Sequence, residues 1–123
     1  MPIIRVELQE GIKTNIKKKI REKIKKTVLE TLAPKQTKYD YVAISEVYAE
    51  IGDGIPLVTI DLRPGREPDR KKALVDGIAL ILKEELNIDS KDIYVIFRET
   101  SAENHYTGGD PLPKWVPASE LNH

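Results

Sequence analysis

The stretch PLVTIDLRPGREPDRKKALVDGIALILKEEL, Pro56–Leu86, decides the fold, because an earlier stretch of the chain, PIIRVELQEGIKTNIKKKIREKIKKTVLETL at Pro2–Leu32, matches its pattern. At a constant offset of 54 residues Pro2 falls on Pro56, Val6 on Ile60, Leu8 on Leu62 and Gly11 on Gly65. The same offset lays Ile20 on Leu74, Ile24 on Ile78, Val28 on Leu82 and Leu32 on Leu86. One residue then drops out, and Val42 meets Val95 and Glu46 meets Glu99 at an offset of 53. Chance supplies a few apolar coincidences but not the whole series. The chain is a tandem duplication.

Each copy changes its hydrophobic period at the same place. Ile4, Val6 and Leu8 alternate with Ile3, Arg5 and Glu7, which predicts a strand ended by Gly11. From Thr14, a plausible N-cap, Ile16, Ile20, Ile24, Val28 and Leu32 recur every fourth position and predict an amphipathic helix. Ala33-Pro34 closes it, since a residue before proline is pushed out of the α region. Asp40–Tyr48 reads as the second strand, and Gly52-Asp53-Gly54 as a turn into the second copy. There Ile55–Leu62 is strand-like and Gly65 ends it. Pro68 suits the first turn of a helix that Asn87–Ser90 breaks, and Ile93–Phe97 is a β-branched and aromatic strand.

A helix between two strands makes them parallel with a right-handed crossover. Two such units predict an α+β fold, a tandem β-α-β duplication in which one four-stranded sheet carries two helices on one face. The other face needs cover, because parallel strands rarely face water, and oligomerisation is the simplest source. The expected layout is one domain over residues 1–109, built from repeats 2–48 and 55–100, followed by a proline-rich C-terminal arm at 110–123.

The 123 residues contain no Cys, which excludes disulfide and thiolate chemistry and points to a cytoplasmic location. Twenty basic residues balance twenty acidic ones. The first helix is lysine-rich, but without interleaved aromatic residues it reads as a solvated face, so no nucleic-acid partner is expected. No run reaches the ~18 apolar residues of a membrane span, so no membrane partner is expected either.

The PLVTIDLRPGREPDRKKAL of Pro56–Leu74 and the ETSAENHYTGG of Glu99–Gly109, together with a chain that begins Met-Pro, resemble the tautomerase superfamily. Its short members, similar to 4-oxalocrotonate tautomerase, carry one β-α-β unit per chain; longer, MIF-like members fuse two and associate as trimers. Arg63-Pro64 followed by Arg66 is similar to the two-arginine motif of malonate semialdehyde decarboxylase. The resemblance implies a homotrimer, no cofactor, and keto-enol tautomerisation of a small carboxylate-bearing substrate. It also implies that Arg63 and Arg66 bind or polarise that substrate and that Tyr106 forms an aromatic wall. Four positions depart from the family pattern. Ile12 replaces the turn arginine of the short enzymes in the first unit, and Tyr41 and Tyr94 replace another arginine. Thr37 stands where the decarboxylase and related dehalogenases carry a water-activating acid, which counts against the alternative of a decarboxylase, hydratase or dehalogenase of a three-carbon acid. A non-catalytic trimeric interaction protein is the reading from a different class.

The base is Pro2. Initiator methionine is expected to be removed before a small residue, exposing a secondary amine; a Met1 that stays on Pro2 leaves an amide with no basicity. An α-amino group titrates near ~8, and an apolar pocket disfavours its cationic form. Such a base moves a proton from the carbon beside a carbonyl and returns it elsewhere. Pro56 has the same place in the second unit, but Ile55 acylates its nitrogen, so each chain offers one amine. His105 reads as a loop histidine rather than a base, and Arg98 as a solvated strand residue. Two histidines without Cys or paired carboxylates predict no metal site.

Overall fold

The computed structural model describes residues 2–32 and 41–114. In chain order it forms β1 (Ile3–Leu8), α1 (Thr14–Thr31), β2 (Tyr41–Glu46), β3 (Glu50–Ile51), β4 (Gly54–Ile55), β5 (Leu57–Leu62), α2 (Pro68–Leu86), β6 (Tyr94–Glu99), β7 (Tyr106–Thr107) and β8 (Asp110–Pro111). The sheet order is β2-β1-β5-β6. β1 and β2 are parallel with Ile3 opposite Tyr41 and Leu8 opposite Glu46; β5 and β6 repeat that register, Leu57 opposite Tyr94 and Leu62 opposite Glu99. The units join through β1 and β5, which run antiparallel. The duplication seen in the residues is therefore a duplication of hydrogen-bond register as well.

The alternation in β1 and β5 turns Ile4, Val6, Leu8, Val58, Ile60 and Leu62 to one face, where none is exposed. The every-fourth stripes Ile20, Ile24, Val28 and Leu74, Ile78, Leu82 meet them there, also fully buried. Each such side chain contributes about 1.5–3 kcal/mol of transfer free energy. Two features depart from the sequence reading. Thr14 is the first helical residue rather than the cap. Lys13 is the extended N-cap without a side-chain bond, because its carbonyl already accepts from Ile16 and Lys17 at 3.0 and 3.1 Å. The segment assigned to the C-terminal arm opens with strand β8, since Asp110–Pro111 pairs with Tyr106–Thr107; Trp115 and the rest of the arm lie outside the described residues. Among the described residues no helix is long and apolar enough to cross a membrane.

The helices touch closely at Gly77, where an added Cβ would lie 2.5 Å from Thr27 Cγ2. Thr27 cannot easily rotate away, because its hydroxyl donates to the Lys23 carbonyl at 2.9 Å. Gly77→Ala is therefore expected to destabilise the fold despite the ~1 kcal/mol that alanine gains over glycine in a helix. In a Thr27→Ser background, which removes the obstructing methyl, the same substitution is expected to stabilise. Urea midpoints of the four proteins check the change of sign.

The other sheet face is open. It exposes Tyr41, Tyr94 and Ile96, and Arg98 grips Asp61 with two bonds of 2.8 Å while Arg5 reaches the same carboxylate at 3.2 Å. Hydrogen bonding from Arg98, opposed by desolvation and supported by the Arg98 and Arg5 charges, holds the Asp61 carboxyl below its ordinary value. On α1, Lys17 pairs with Glu46, Lys19 with Glu85, and Lys23 with Glu84 and Glu85, so part of the lysine-rich face ties elements together.

Candidate active site at the Pro2 end of the sheet

The antiparallel register of β1 and β5 decides what surrounds Pro2. Ile3 is opposite Asp61, so one step back along β1 brings Pro2 to the end of β5, where the chain continues into Leu62 and Arg63. Pro2 is buried, and its carbonyl accepts from the Tyr41 amide at 3.4 Å. β6 finishes at the same end, Thr100 donating to the Leu62 carbonyl at 3.1 Å. The chain then folds back through His105 and the β7–β8 hairpin, and the Leu112 amide bonds the His105 carbonyl at 2.8 Å. At the far end the mirror-image contact, Tyr94 amide to Pro56 carbonyl at 3.0 Å, surrounds a proline whose nitrogen is acylated.

Among the described residues, two cavities open at the Pro2 end. One, of about 400 Å³, is lined by Ile3, Tyr41, Asn104, His105, Tyr106 and Leu112. The other, of about 300 Å³, is lined by Arg63, Pro64, Gly65, Ala102, Glu103 and Lys114. Tyr106 is 64% exposed, a wall rather than a core residue. His105 Nε2 lies 3.1 Å from the Thr100 carbonyl, which accepts its proton. The Thr100 hydroxyl lies against the same nitrogen, and the two contacts orient the ring.

The two candidate arginines separate. Both are 4% exposed. Arg63 Nη1 donates to the Pro113 carbonyl, its Nε has no hydrogen-bond partner, and no carboxylate pairs with it among the described residues. Burial pushes its pKa below the ordinary guanidinium value, but an arginine stays cationic at neutral pH. Arg66 Nε instead donates to the Leu32 carbonyl at 3.4 Å, and Arg70 Nη1 to the Thr31 carbonyl at 3.3 Å. α1 has no basic residue in its last turn, so the second unit supplies the cations its C-terminal carbonyls favour. Arg66 lines neither cavity. From the sequence, the proline-rich arm at 110–117 is expected near the pocket mouth, but neither Leu112 nor Pro113, which reach the site here, is singled out there. Thr37, Asp40 and Met1 lie outside the described residues.

Comparison with known proteins fits this geometry. The family model described as tautomerase enzyme matches residues 56–114. A probable tautomerase of Listeria monocytogenes is 34% identical over 55 residues, 45% of this chain and 90% of the relative. The chain belongs to the tautomerase superfamily. Among solved structures, native fused 4-OT has a TM-score of 0.77 at 16% identity, over 98% of this chain and 99% of that one. The macrophage migration inhibitory factor-like protein of Entamoeba histolytica has 0.76 at 20% identity, covering 90% and 98%. Malonate semialdehyde decarboxylase has 0.67 at 17%, covering 86% and 90%. These likenesses establish the fold, the expected α+β arrangement of two helices on a four-stranded sheet. Within this tautomerase-superfamily chain the matched segment is the second unit with Arg63, Arg66, Tyr106 and Pro113, whereas Pro2 belongs to the first.

Proposed function

We propose that this member of the superfamily is an isomerase that interconverts keto and enol forms of a small carboxylate-bearing compound, with the Pro2 amine, freed of Met1, as the general base. The observation that carries the reading is the strand register, which delivers a buried arginine, without a carboxylate partner among the described residues, to the sheet end where Pro2 begins. Burial disfavours the ammonium form of the amine, leaving more free base near neutral pH. Pro2 N takes a proton from the carbon beside the carbonyl. The bonding pair becomes the C=C bond, negative charge moves to oxygen, and the proton returns from Pro2 to oxygen or carbon. Arg63 binds the substrate carboxylate through two N–H groups, and its charge steadies the enolate. Tyr106, with Tyr41 in the same cavity, bounds the rest of the substrate. Arg66 acts by holding the turn between β5 and α2 against α1.

The working unit in this proposal is a homotrimer in which neighbouring copies cover the open sheet face with its exposed Tyr41, Tyr94 and Ile96. The test is ketonisation of phenylenolpyruvate by the wild-type chain and by Pro2→Ala; equal rates sink the reading. A second reading, decarboxylation or hydration of a three-carbon acid, is favoured by Arg63-Pro64 followed by Arg66 and by the malonate semialdehyde decarboxylase fold. Carbon dioxide release from malonate semialdehyde tests it.

A further inference from the structure

Arg63 is a cation out of water whose visible acceptor is the neutral carbonyl of Pro113. That carbonyl belongs to a segment crossing between the two cavities, since Leu112 lines the one with Tyr106 and Lys114 the one with Arg63. The segment is attached through the β7–β8 hairpin, whose tip holds Gly108 and Gly109 at φ +61° and +90° with no heavy atom within 4 Å of an added Cβ at either. Among the described residues, the space beside the α-carbons of the hairpin tip is open.

We propose that Leu112–Lys114 is a strap that occupies the Arg63 guanidinium in the ligand-free protein and is displaced by the carboxylate of the substrate. The inference rests on the reading of Arg63 as the carboxylate ligand and adds the regulation of that site. The exchange is favourable in kind. A carboxylate offers two charged acceptors to a fork of N–H groups and can take the Nε that the carbonyl leaves without a partner. Moving the strap also joins the cavity at Tyr106 to the one at Arg63, so a single substrate spans both. Pro113 stiffens the strap. Replacing it by glycine raises the entropy lost on seating the strap without removing the carbonyl, an effect of a few tenths to one kcal/mol at a compatible site, so the anion then competes against a weaker occupant.

The test uses the full chain and phenylacetate, an unreactive monocarboxylate, with binding measured by calorimetry. Trp115, the single tryptophan and the residue after Lys114, reports on the strap by its emission. Phenylacetate is expected to change that emission with the same saturation as the calorimetric titration. Pro113→Gly is expected to tighten binding about two- to fivefold, and Arg63→Met to abolish the response. Binding without an emission change, or an affinity that Pro113→Gly leaves unchanged or weakens, overturns the strap while leaving Arg63 as the ligand. Failure of phenylacetate to bind at all overturns both.

Discussion

Pro2→Ala is expected to lower kcat/KM for phenylenolpyruvate ketonisation by about 10²-fold, the low end of the span for a general base. Alanine keeps an α-amine but loses the ring that fixes its position. The loss should fall on kcat. Pro2 meets the reacting carbon and takes no part in holding the carboxylate, so KM is expected to move little. The fold should be indifferent, because Pro2 precedes β1 and the bond it accepts from the Tyr41 amide is to a carbonyl that alanine keeps. An unfolding midpoint equal to that of the wild type, beside the lost rate, separates chemistry from stability.

Arg63→Met is expected to have an effect of similar size, with kcat/KM falling about 30- to 1,000-fold, the 2–4 kcal/mol that follows removal of one partner from a buried charge pair. Its signature differs from that of Pro2. The carboxylate is bound before and during proton transfer, so much of the loss should appear in KM, with the share due to enolate stabilisation in kcat. Methionine fills a similar volume and leaves no buried donor to satisfy, so the variant should be as stable as wild type or more so. Arg63→Lys is expected to recover only part of the loss, since an ammonium is a point charge and cannot present a fork. Full recovery with lysine would show that charge alone suffices there.

Much of the fold was legible because two independent periods agreed. Alternation at Ile4, Val6 and Leu8, then every fourth residue from Ile20, recur 54 residues later, and the buried faces follow those residues. The residue missing between helix and strand in the second unit leaves the strand register the same in both, Leu8 opposite Glu46 and Leu62 opposite Glu99. The site was less legible. Arg63 and Arg66 are three residues apart on one turn and equally readable as anion ligands. Their different surroundings come from α1 of the other unit, whose C-terminal carbonyls draw Arg66, and from the returning chain, which meets Arg63. Pro113 acts through a backbone carbonyl, and such a group leaves no trace in residue type. The Thr14 cap failed for a local reason, the Lys13 carbonyl having already entered the helix.

Because the chemistry assigned to Pro2 depends on a nitrogen with no residue before it, the most direct measurement compares two forms of one sequence. Intact mass defines a preparation that begins at Pro2 and another in which Met1 remains, and each is assayed for phenylenolpyruvate ketonisation. Turnover confined to the form with the free amine, rising in proportion to its fraction in mixtures, is the expected result. Equal turnover by the form that retains Met1 contradicts a proline base.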